Sequence, residues 1–243
     1  MNSTDNTGFG NLKLVQSDEG FRYGIDAVLL ADFADSLCGG SRAFADLGTG
    51  NGIIPLILSY LDENRSITGI ELQREAVELA VQSLQLNGLE DRISFINEDI
   101  CRLKDDYPQM GGAFDAVVTN PPYVPRGAGI ENGNRARFLA RQETSADLET
   151  FIRTGAWMLR DKGHLFMVHR PSRLVDILCL CRKYRLEPKD MRLVVPREGE
   201  KPNILLLHCV LGGGRELKVH PQLAVYSGNG TYSPQVEKIY RRG

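Results

Sequence analysis

The sequence predicts an α/β protein with a doubly wound, seven-stranded and mostly parallel sheet, covered by helices on both faces. Strand-like apolar segments alternate five times with segments of helical periodicity, which is typical of parallel strands joined by helices. The first strand-like segment ends in a turn with three glycines, as expected where a ligand approaches the backbone. No helix separates the last two strand-like segments, so the C-terminal strand is expected to be antiparallel.

The predicted helices and strands follow one another along the chain. Residues 1–12 are polar and Gly-rich and are predicted to be flexible, which leaves 13–243 as a single domain. A helix is predicted at 21–33, before the first strand. The predicted strands are 42–48, 66–72, 93–99, 116–118, 164–170, 191–196 and 203–211. The predicted helices between them are 53–61, 74–88, 146–163 and 171–186.

Composition limits the class of protein. With 243 residues and 27.0 kDa, the chain can bury the core of one large α/β domain. No apolar run approaches the roughly 20 residues of a membrane span, and the N-terminus lacks the layout of a signal peptide. We therefore expect a cytoplasmic protein without membrane contact. The cysteines form no C-x-x-C pair and the histidines show no ligand spacing, so no metal site is predicted.

The net charge of −2 hides an uneven distribution of charge. The balance is −10 over residues 1–99, zero over 100–159 and +8 over 160–243. A basic C-terminal third can steer a polyanion toward the protein. The same counts are equally consistent with solvated charges that share no common face.

The segment 114–123 ends an apolar strand with Asn120, Pro121, Pro122 and Tyr123. Two consecutive prolines fix two φ angles and hold the preceding residues extended. In that conformation the Asn120 amide and the Pro121 carbonyl can direct acceptors into one space, beside the flat ring of Tyr123. The segment predicts a site for a planar group that bears an NH2. A proline turn after a strand, or a polyproline ligand, would share this sequence.

The glycine turn after the first strand contains Asp46, Gly48, Gly50 and Gly52. The dinucleotide fingerprint is G-x-G-x-x-G, whereas this turn is G-x-G-x-G with an aspartate two residues ahead. No Lys or Arg follows that would meet a phosphate. A ligand with a cationic amino group therefore suits Asp46 better than a pyrophosphate would.

Two further acids close the next two predicted strands. Glu71, nineteen residues beyond Gly52, can accept hydrogen bonds from ribose hydroxyls, as in nicotinamide and adenosyl cofactors alike. Asp99 can accept one from an adenine amine. Each acid alone is equally consistent with a helix N-cap or a solvated loop. Acids in series at three strand ends favour a nucleoside-containing cofactor.

Together these motifs resemble the class I S-adenosylmethionine-dependent methyltransferases that modify a planar nitrogen. The similarity is carried by DLGTGNG (46–52), Glu71, Asp99 and NPPY (120–123). The flanking segment FRYGIDAVLLA (21–31) and the tail from ELKVHP (216–221) to Tyr240 are similar to the bacterial tRNA adenine methyltransferases that act beside the anticodon of a valine tRNA. The resemblance implies a Rossmann-like methyltransferase domain, S-adenosyl-L-methionine as cofactor, and methylation of an adenine N6 amine in tRNA, at position 37.

The resemblance also assigns roles to residues. Asp46 and the glycines would hold the methionine part of the cofactor, and residues 23–27 would close over it. The implied cofactor-binding residues are Tyr23, Asp26, Asp46, Gly48, Gly50, Gly52, Glu71, Leu72, Asp99, Ile100 and Asn120. The implied catalytic residues, which hold the target amine, are Asn120, Pro121, Pro122 and Tyr123. The implied RNA contacts are Arg126, Arg135, Arg137, Arg141, Lys238, Arg241 and Arg242.

Three other functions stay open from the sequence alone. A protein glutamine N5-methyltransferase can use the same NPPY segment, but those enzymes resemble this chain less because they carry a helical domain before the first strand. An rRNA guanine-N2 methyltransferase would often carry a duplicated or extended domain. A catalytically silent RNA-binding module is the third alternative. No obligate protein partner is evident.

Overall fold

The computed structural model describes residues 2–17, 23–122 and 146–240. Two strands pair as a separate hairpin, β1 (Asn2–Asn6) and β2 (Lys13–Ser17). The strands that form the main sheet are β3 (Ala43–Leu47), β4 (Ser66–Glu71), β5 (Ile93–Asn97), β6 (Phe114–Thr119), β7 (Leu159–His169), β8 (Leu186–Arg197), β9 (Ile204–Leu211), β10 (Lys218–Val219) and β11 (Leu223–Tyr226). The α-helices are α1 (Ile25–Leu37), α2 (Ile53–Leu61), α3 (Arg74–Asn87), α4 (Leu103–Asp106), α5 (Leu148–Met158), α6 (Leu174–Lys183) and α7 (Pro234–Tyr240).

Seven strands of the sheet run in the spatial order β5-β4-β3-β6-β7-β9-β8. Their pairings are parallel except those of β9, which is antiparallel to both β7 and β8. The short strands β10 and β11 add parallel pairings to β8. The predicted doubly wound sheet with an antiparallel C-terminal strand is confirmed. Chain order reverses between β3 and β6, so the carboxyl ends of these two strands flank the crevice where such sheets bind ligands.

Side chains alternate between the two faces of the sheet, as the strand period requires. Phe44 of β3 packs into an apolar cluster with residues of α1 and α2, among them Leu30 and Ile57. Its neighbour Ala45 packs on the other face with residues of α5 and α6, among them Ile152 and Ile177. The helices therefore form a layer on each face, and the sheet's carboxyl edge stays available to a ligand.

Residues 1–12 are predicted to be flexible, and the structure places most of them in the first hairpin. Asn2–Asn6 pair with Lys13–Ser17, and Phe9 in the intervening turn is fully buried. Side chains of α3 hold β2 from outside the hairpin, because Ser83 Oγ accepts a hydrogen bond from Val15 N at 2.9 Å and Asn87 Oδ1 accepts one from Lys13 N at 2.9 Å. Composition suggests flexibility because most side chains of β1 face solvent, whereas backbone bonds and a buried ring hold it in place. The extent of the single domain stays a prediction.

The helix predicted at 146–163 is too long. Helix α5 ends at Met158, and β7 begins at Leu159. Phe114 of β6 pairs with Leu159 of β7, but Ala116, two residues further along β6, pairs with His164. The residues of β7 between Leu159 and His164 therefore bulge out of the ladder. Arg160 in this bulge forms an ion pair with Asp115 at 2.9 Å. Polar residues of helical propensity therefore adopt strand geometry because a neighbouring strand supplies their partners.

A chain of polar side chains fastens the C-terminal segment to the sheet. Asp190 of β8 contacts His208 Nδ1 of β9 at 2.9 Å through one carboxylate oxygen and His220 Nε2 at 2.8 Å through the other. His208 Nε2 in turn lies 2.9 Å from His164 Nδ1 on β7. Asp190 thus joins two strands of the sheet to the segment that follows β10.

Within the described ranges, no helix is long and apolar enough to cross a membrane. The same ranges contain no cluster of three or more His, Cys, Asp or Glu that could hold a metal ion.

We expect Asp190→Ala to lower the free energy of unfolding by about 1–3 kcal/mol, because it removes the shared acceptor of His208 and His220. Urea unfolding measures the loss. Asp176→Ala is the matched control, since Asp176 is 59% exposed in its ion pair with Arg173 and such surface pairs contribute about 0–1 kcal/mol. Equal losses in the two variants would contradict the joining role of Asp190.

Candidate active site

The glycine turn after β3 brings the backbone to the carboxyl edge of the sheet. Gly48 N and Thr49 N both donate to Ile70 O of β4, at 2.9 and 3.0 Å. The three glycines have φ angles of 74°, 57° and 82°, a region that side chains disfavour. A Cβ on Gly52 would lie 2.6 Å from Phe95 Cζ, whereas one on Gly50 would meet none of the described residues within 4 Å. Gly52 is therefore required for packing, whereas no residue in the described part of the chain crowds Gly50.

Asp46 is a fully buried acid near the end of β3. Neither carboxylate oxygen has a hydrogen-bond partner among the described residues. Burial raises the pKa of Asp46 to about 7; the Thr49 hydroxyl lowers this pKa and the Glu71 carboxylate raises it. A buried carboxyl group without partners is costly to folding, so its presence at a ligand crevice points to a cationic or hydrogen-bonding ligand.

Glu71 ends β4 and holds the glycine turn. Its Oε2 accepts from Gly50 N and its Oε1 from Gln73 N, both at 2.9 Å. Burial raises its pKa, and these backbone donors oppose the shift. Each oxygen keeps a second lone pair that a ligand hydroxyl can use. Leu72, the next residue, is 38% exposed.

Asp99 and Ile100 follow β5 at the same edge. Asp99 Oδ1 accepts a hydrogen bond from Cys101 N at 2.9 Å, which fixes the turn. Ile100 is buried and borders a pocket of about 290 Å³, which is also lined by Arg153 and Trp157. Its lining combines the Ile100 side chain and the Trp157 ring with the charged residues Lys104, Asp105 and Arg153.

Asn120 follows β6 directly and is held by a residue of α1. Its Nδ2 donates to Asp26 Oδ2 at 3.2 Å, and Asp26 Oδ1 accepts from Ala27 N at 3.0 Å. Because a carboxylate only accepts hydrogen bonds, it fixes the amide with its nitrogen toward α1 and its oxygen away. Pro121 is buried and Pro122 is half-buried. Tyr123 lies outside the described residues, as do Arg126, Arg135, Arg137, Arg141, Arg241 and Arg242.

The structure adds residues to the site that no sequence motif indicates. Thr119 Oγ1 donates to Leu47 O at 2.9 Å and so fixes the end of β6 against that of β3. Gln16 is buried, and its Oε1 accepts from Asn51 Nδ2 at 3.2 Å and Tyr23 N at 3.4 Å. Gln16 thus joins the hairpin, the glycine turn and the segment before α1. Its only sequence signal is an amide directly after the two apolar residues of β2.

His169 ends β7, next to β6 in the sheet, and no sequence motif singles it out. Its Nδ1 accepts from Arg170 N at 2.8 Å, and burial lowers its pKa to about 4. The imidazole is therefore neutral at ordinary pH. It places an uncharged polar ring at the carboxyl edge, one strand away from Asn120.

The sequence profile of the family described as "Methyltransferase small domain" matches residues 8–176. The chain belongs to this methyltransferase family. It is 30% identical over 205 residues to the tRNA1(Val) (adenine(37)-N6)-methyltransferase of Porphyromonas gingivalis, and the match covers 84% of this chain and 80% of that one. A protein of the same name from Aeromonas salmonicida is 28% identical, with 87% and 85% covered.

Solved methyltransferase structures share the fold. A predicted O-methyltransferase from Agrobacterium tumefaciens superposes with a TM-score of 0.70 at 24% identity, covering 89% of this chain and 96% of that one. The geranyl diphosphate C-methyltransferase of Streptomyces coelicolor, in complex with S-adenosyl-L-homocysteine, superposes with a TM-score of 0.53 at 13% identity, covering 75% and 80%. At these identities the likeness concerns the fold alone.

We expect Asp46→Asn to stabilise the ligand-free methyltransferase domain at pH of about 8. Since the pKa of Asp46 is about 7 in the folded chain and 3.8 as a free group, the folded state loses stability as pH rises between these values. The increase in unfolding free energy that Asp46→Asn causes should be complete above about pH 7 and smaller at about pH 5. Urea unfolding at both pH values measures it.

Asp62→Asn is the control of opposite sign, because backbone and side-chain hydrogen bonds from Asn64 lower the pKa of Asp62. It should give no gain at the higher pH. A stabilisation of Asp46→Asn that is equal at both pH values would contradict the assignment of the effect to this carboxyl group.

Proposed function

We propose that this chain transfers the methyl group of S-adenosyl-L-methionine to the exocyclic N6 amine of an adenine in tRNA, at position 37 beside the anticodon of a valine tRNA. The observation that carries the proposal is the Asn120 amide, fixed by Asp26 at the sheet edge with its oxygen turned away from the carboxylate. The names of the relatives supply the substrate class and the position.

The residues around the glycine turn fit the proposed cofactor. The buried Asp46 carboxylate, whose oxygens have no hydrogen-bond partner among the described residues, suits the ammonium of the methionine part. Because no described residue lies within 4 Å of a Cβ on Gly50, the cofactor can approach the backbone there. The remaining lone pairs of Glu71 suit the ribose hydroxyls. Asp99 and Ile100 would border the adenine, and Tyr23 with Asp26 would close the methionine end. When bound, the cofactor supplies a methyl group on an electrophilic sulfonium.

The residues at the end of β6 would receive the target amine. An aromatic exocyclic amine is a poor nucleophile because its lone pair is delocalised into the ring. The Asn120 Oδ1 and the Pro121 carbonyl would each accept one N–H, which favours a pyramidal nitrogen with its lone pair free for attack. Tyr123 would stack on the base, contributing roughly 1–3 kcal/mol once the base leaves its stack.

Asn120 would orient the amine without taking its proton. A neutral amide is an acceptor and not a general base. The amine proton becomes acidic when the new N–C bond forms, and it can leave to water. Catalysis would then come from placing two acceptors on a rigid frame, which Asp26, Thr119 and the two prolines keep fixed.

We expect Asn120→Ala to lower kcat by roughly 100-fold or more, since one of two positioned acceptors is lost. Affinity for S-adenosyl-L-homocysteine, measured by calorimetry, should stay within a few fold. Asn64→Ala is the control, because Asn64 is exposed in the turn after α2, at the opposite sheet edge. Full activity of Asn120→Ala would remove the role assigned to this side chain.

We expect Asp26→Ala to lower kcat because the Asn120 amide loses the acceptor that fixes its orientation. The decisive measurement is a double-mutant cycle. If Asp26 acts through Asn120, adding Asp26→Ala to Asn120→Ala should slow the reaction no further. Independent, additive losses would show that Asp26 acts elsewhere, for example on the cofactor.

The substrate is tested by mass spectrometry after incubation with cofactor. Bulk tRNA should yield N6-methyladenosine, and digestion should place it beside the anticodon of a valine tRNA. Modification of a release-factor glutamine, or of guanine in ribosomal RNA, would replace the proposal by one of the other methyltransferase functions. Absence of methyl transfer to any of the three would favour the silent RNA-binding module.

A further inference from the structure

The C-terminal segment carries a row of three tyrosine rings, Tyr226, Tyr232 and Tyr240, which we term the tyrosine ladder. The ring centroids of Tyr226 and Tyr232 are 5.6 Å apart with planes at 17°, and those of Tyr232 and Tyr240 are 5.6 Å apart at 15°. Phe9 of the hairpin turn lies 5.2 Å from Tyr240 and supports the inner end.

The local sequence explains why the rings align. Ser227 N donates to Thr231 O at 2.8 Å, and Gly230, with φ of 84°, allows the chain to reverse. Tyr226 and Tyr232 then face each other as an antiparallel bridge, so their side chains lie on one face. Tyr240 ends the short helix α7 that follows this turn.

Tyr226 and Tyr232, the outer two rings of the tyrosine ladder, are exposed to solvent. Tyr226 is 36% and Tyr232 is 37% exposed, although buried tyrosines would contribute more to folding. Nearly parallel rings 5.6 Å apart are offset, so part of each face stays open. The Arg197 guanidinium carbon lies 5.8 Å from the Tyr226 ring centroid, and the Arg197 side chain is 53% exposed in its ion pair with Glu200.

Sheet topology places the ladder on the same edge as Asn120. Strand β8 runs parallel to β7 and β6, and it ends at Arg197. Tyr226 of β11 pairs with Arg197 of β8, and these two strands are parallel. Tyr226 therefore lies at the carboxyl edge as well. Burial is the main cause that raises the pKa of Tyr240 and that of Tyr23; the Tyr23 hydroxyl adds to the first shift and the Tyr232 hydroxyl to the second. Tyr23 lies three residues before Asp26, the partner of Asn120.

We propose that the tyrosine ladder and Arg197 bind unpaired nucleotides of the tRNA substrate next to the adenine that is methylated. This inference rests on the proposed function. Flat aromatic faces stack with bases of any sequence, and a neighbouring guanidinium binds phosphate or the faces of bases. Polyproline peptides also dock on aromatic rings, but the charge of +8 over residues 160–243 favours a polyanion.

The test uses the full chain with Tyr226→Ala and Tyr232→Ala combined, and steady-state kinetics with tRNA. Loss of stacking should raise KM for tRNA about fivefold or more, with kcat and the affinity for S-adenosyl-L-homocysteine unchanged. The double Phe variant keeps the rings and should stay within about twofold of the wild type. Tyr184→Ala is the matched control, since Tyr184 is half-buried after α6, at the opposite sheet edge.

A second measurement isolates Arg197. Arg197→Ala should reduce the slope of log affinity for tRNA against log salt by about 1, as expected for one lost phosphate contact. Arg182→Ala is the control, because Arg182 has nearly the same exposure, 56%, and a similar ion pair with Glu187 at 3.5 Å, but lies near the opposite edge. It should leave the slope unchanged.

The outcomes separate this inference from the proposed function. If the wild type methylates tRNA, but both double variants keep its KM and Arg197→Ala keeps its salt slope, the ladder inference alone is overturned. If the wild type binds S-adenosyl-L-homocysteine but transfers no methyl group to tRNA, the proposed function fails and the inference fails with it. A raised KM in the Ala variant that the Phe variant restores supports the ladder.

Discussion

The hydrogen bond from the Asn120 amide to the Asp26 carboxylate is the contact on which the candidate site depends. It joins a loop after β6 to the first turn of α1, two segments 94 residues apart. It turns the amide nitrogen toward α1 and the amide oxygen away from it. Thr119 fixes the end of β6 to the end of β3. The Asn120 and Pro121 acceptors after β6 therefore keep one position relative to the glycine turn after β3. The chemistry proposed here follows from that fixed geometry and not from an ionisable base.

Much of the fold could be predicted from the sequence because local patterns and tertiary structure agree over β3 to β9. The glycine turn and the acids at the ends of three strands stand out in the sequence because their pattern predicts a ligand site. Asp46 and Glu71 indeed lie on neighbouring strand ends. Their assignment to parts of a cofactor still rests on family resemblance and stays a prediction.

What the sequence did not reveal depends on contacts between distant residues. The N-terminal hairpin is held by Ser83 and Asn87 of α3, and no local pattern announces such partners. Gln16 gains its position from Asn51 and Tyr23, which lie 35 and 7 residues away. The start of β7 looks helical by propensity, and it becomes a strand because β6 and Asp115 supply its partners.

The buried Asp46 carboxyl group has a consequence for how a cationic ligand would be taken up. With a pKa of about 7, this group is partly protonated in neutral solution, whereas a bound ammonium requires the ionised form. Ligand uptake would then expel a fraction of a proton into the surrounding buffer. The heat recorded in a titration calorimeter would accordingly vary with the ionisation enthalpy of the buffer, and the variation would report how many protons this one side chain gives up.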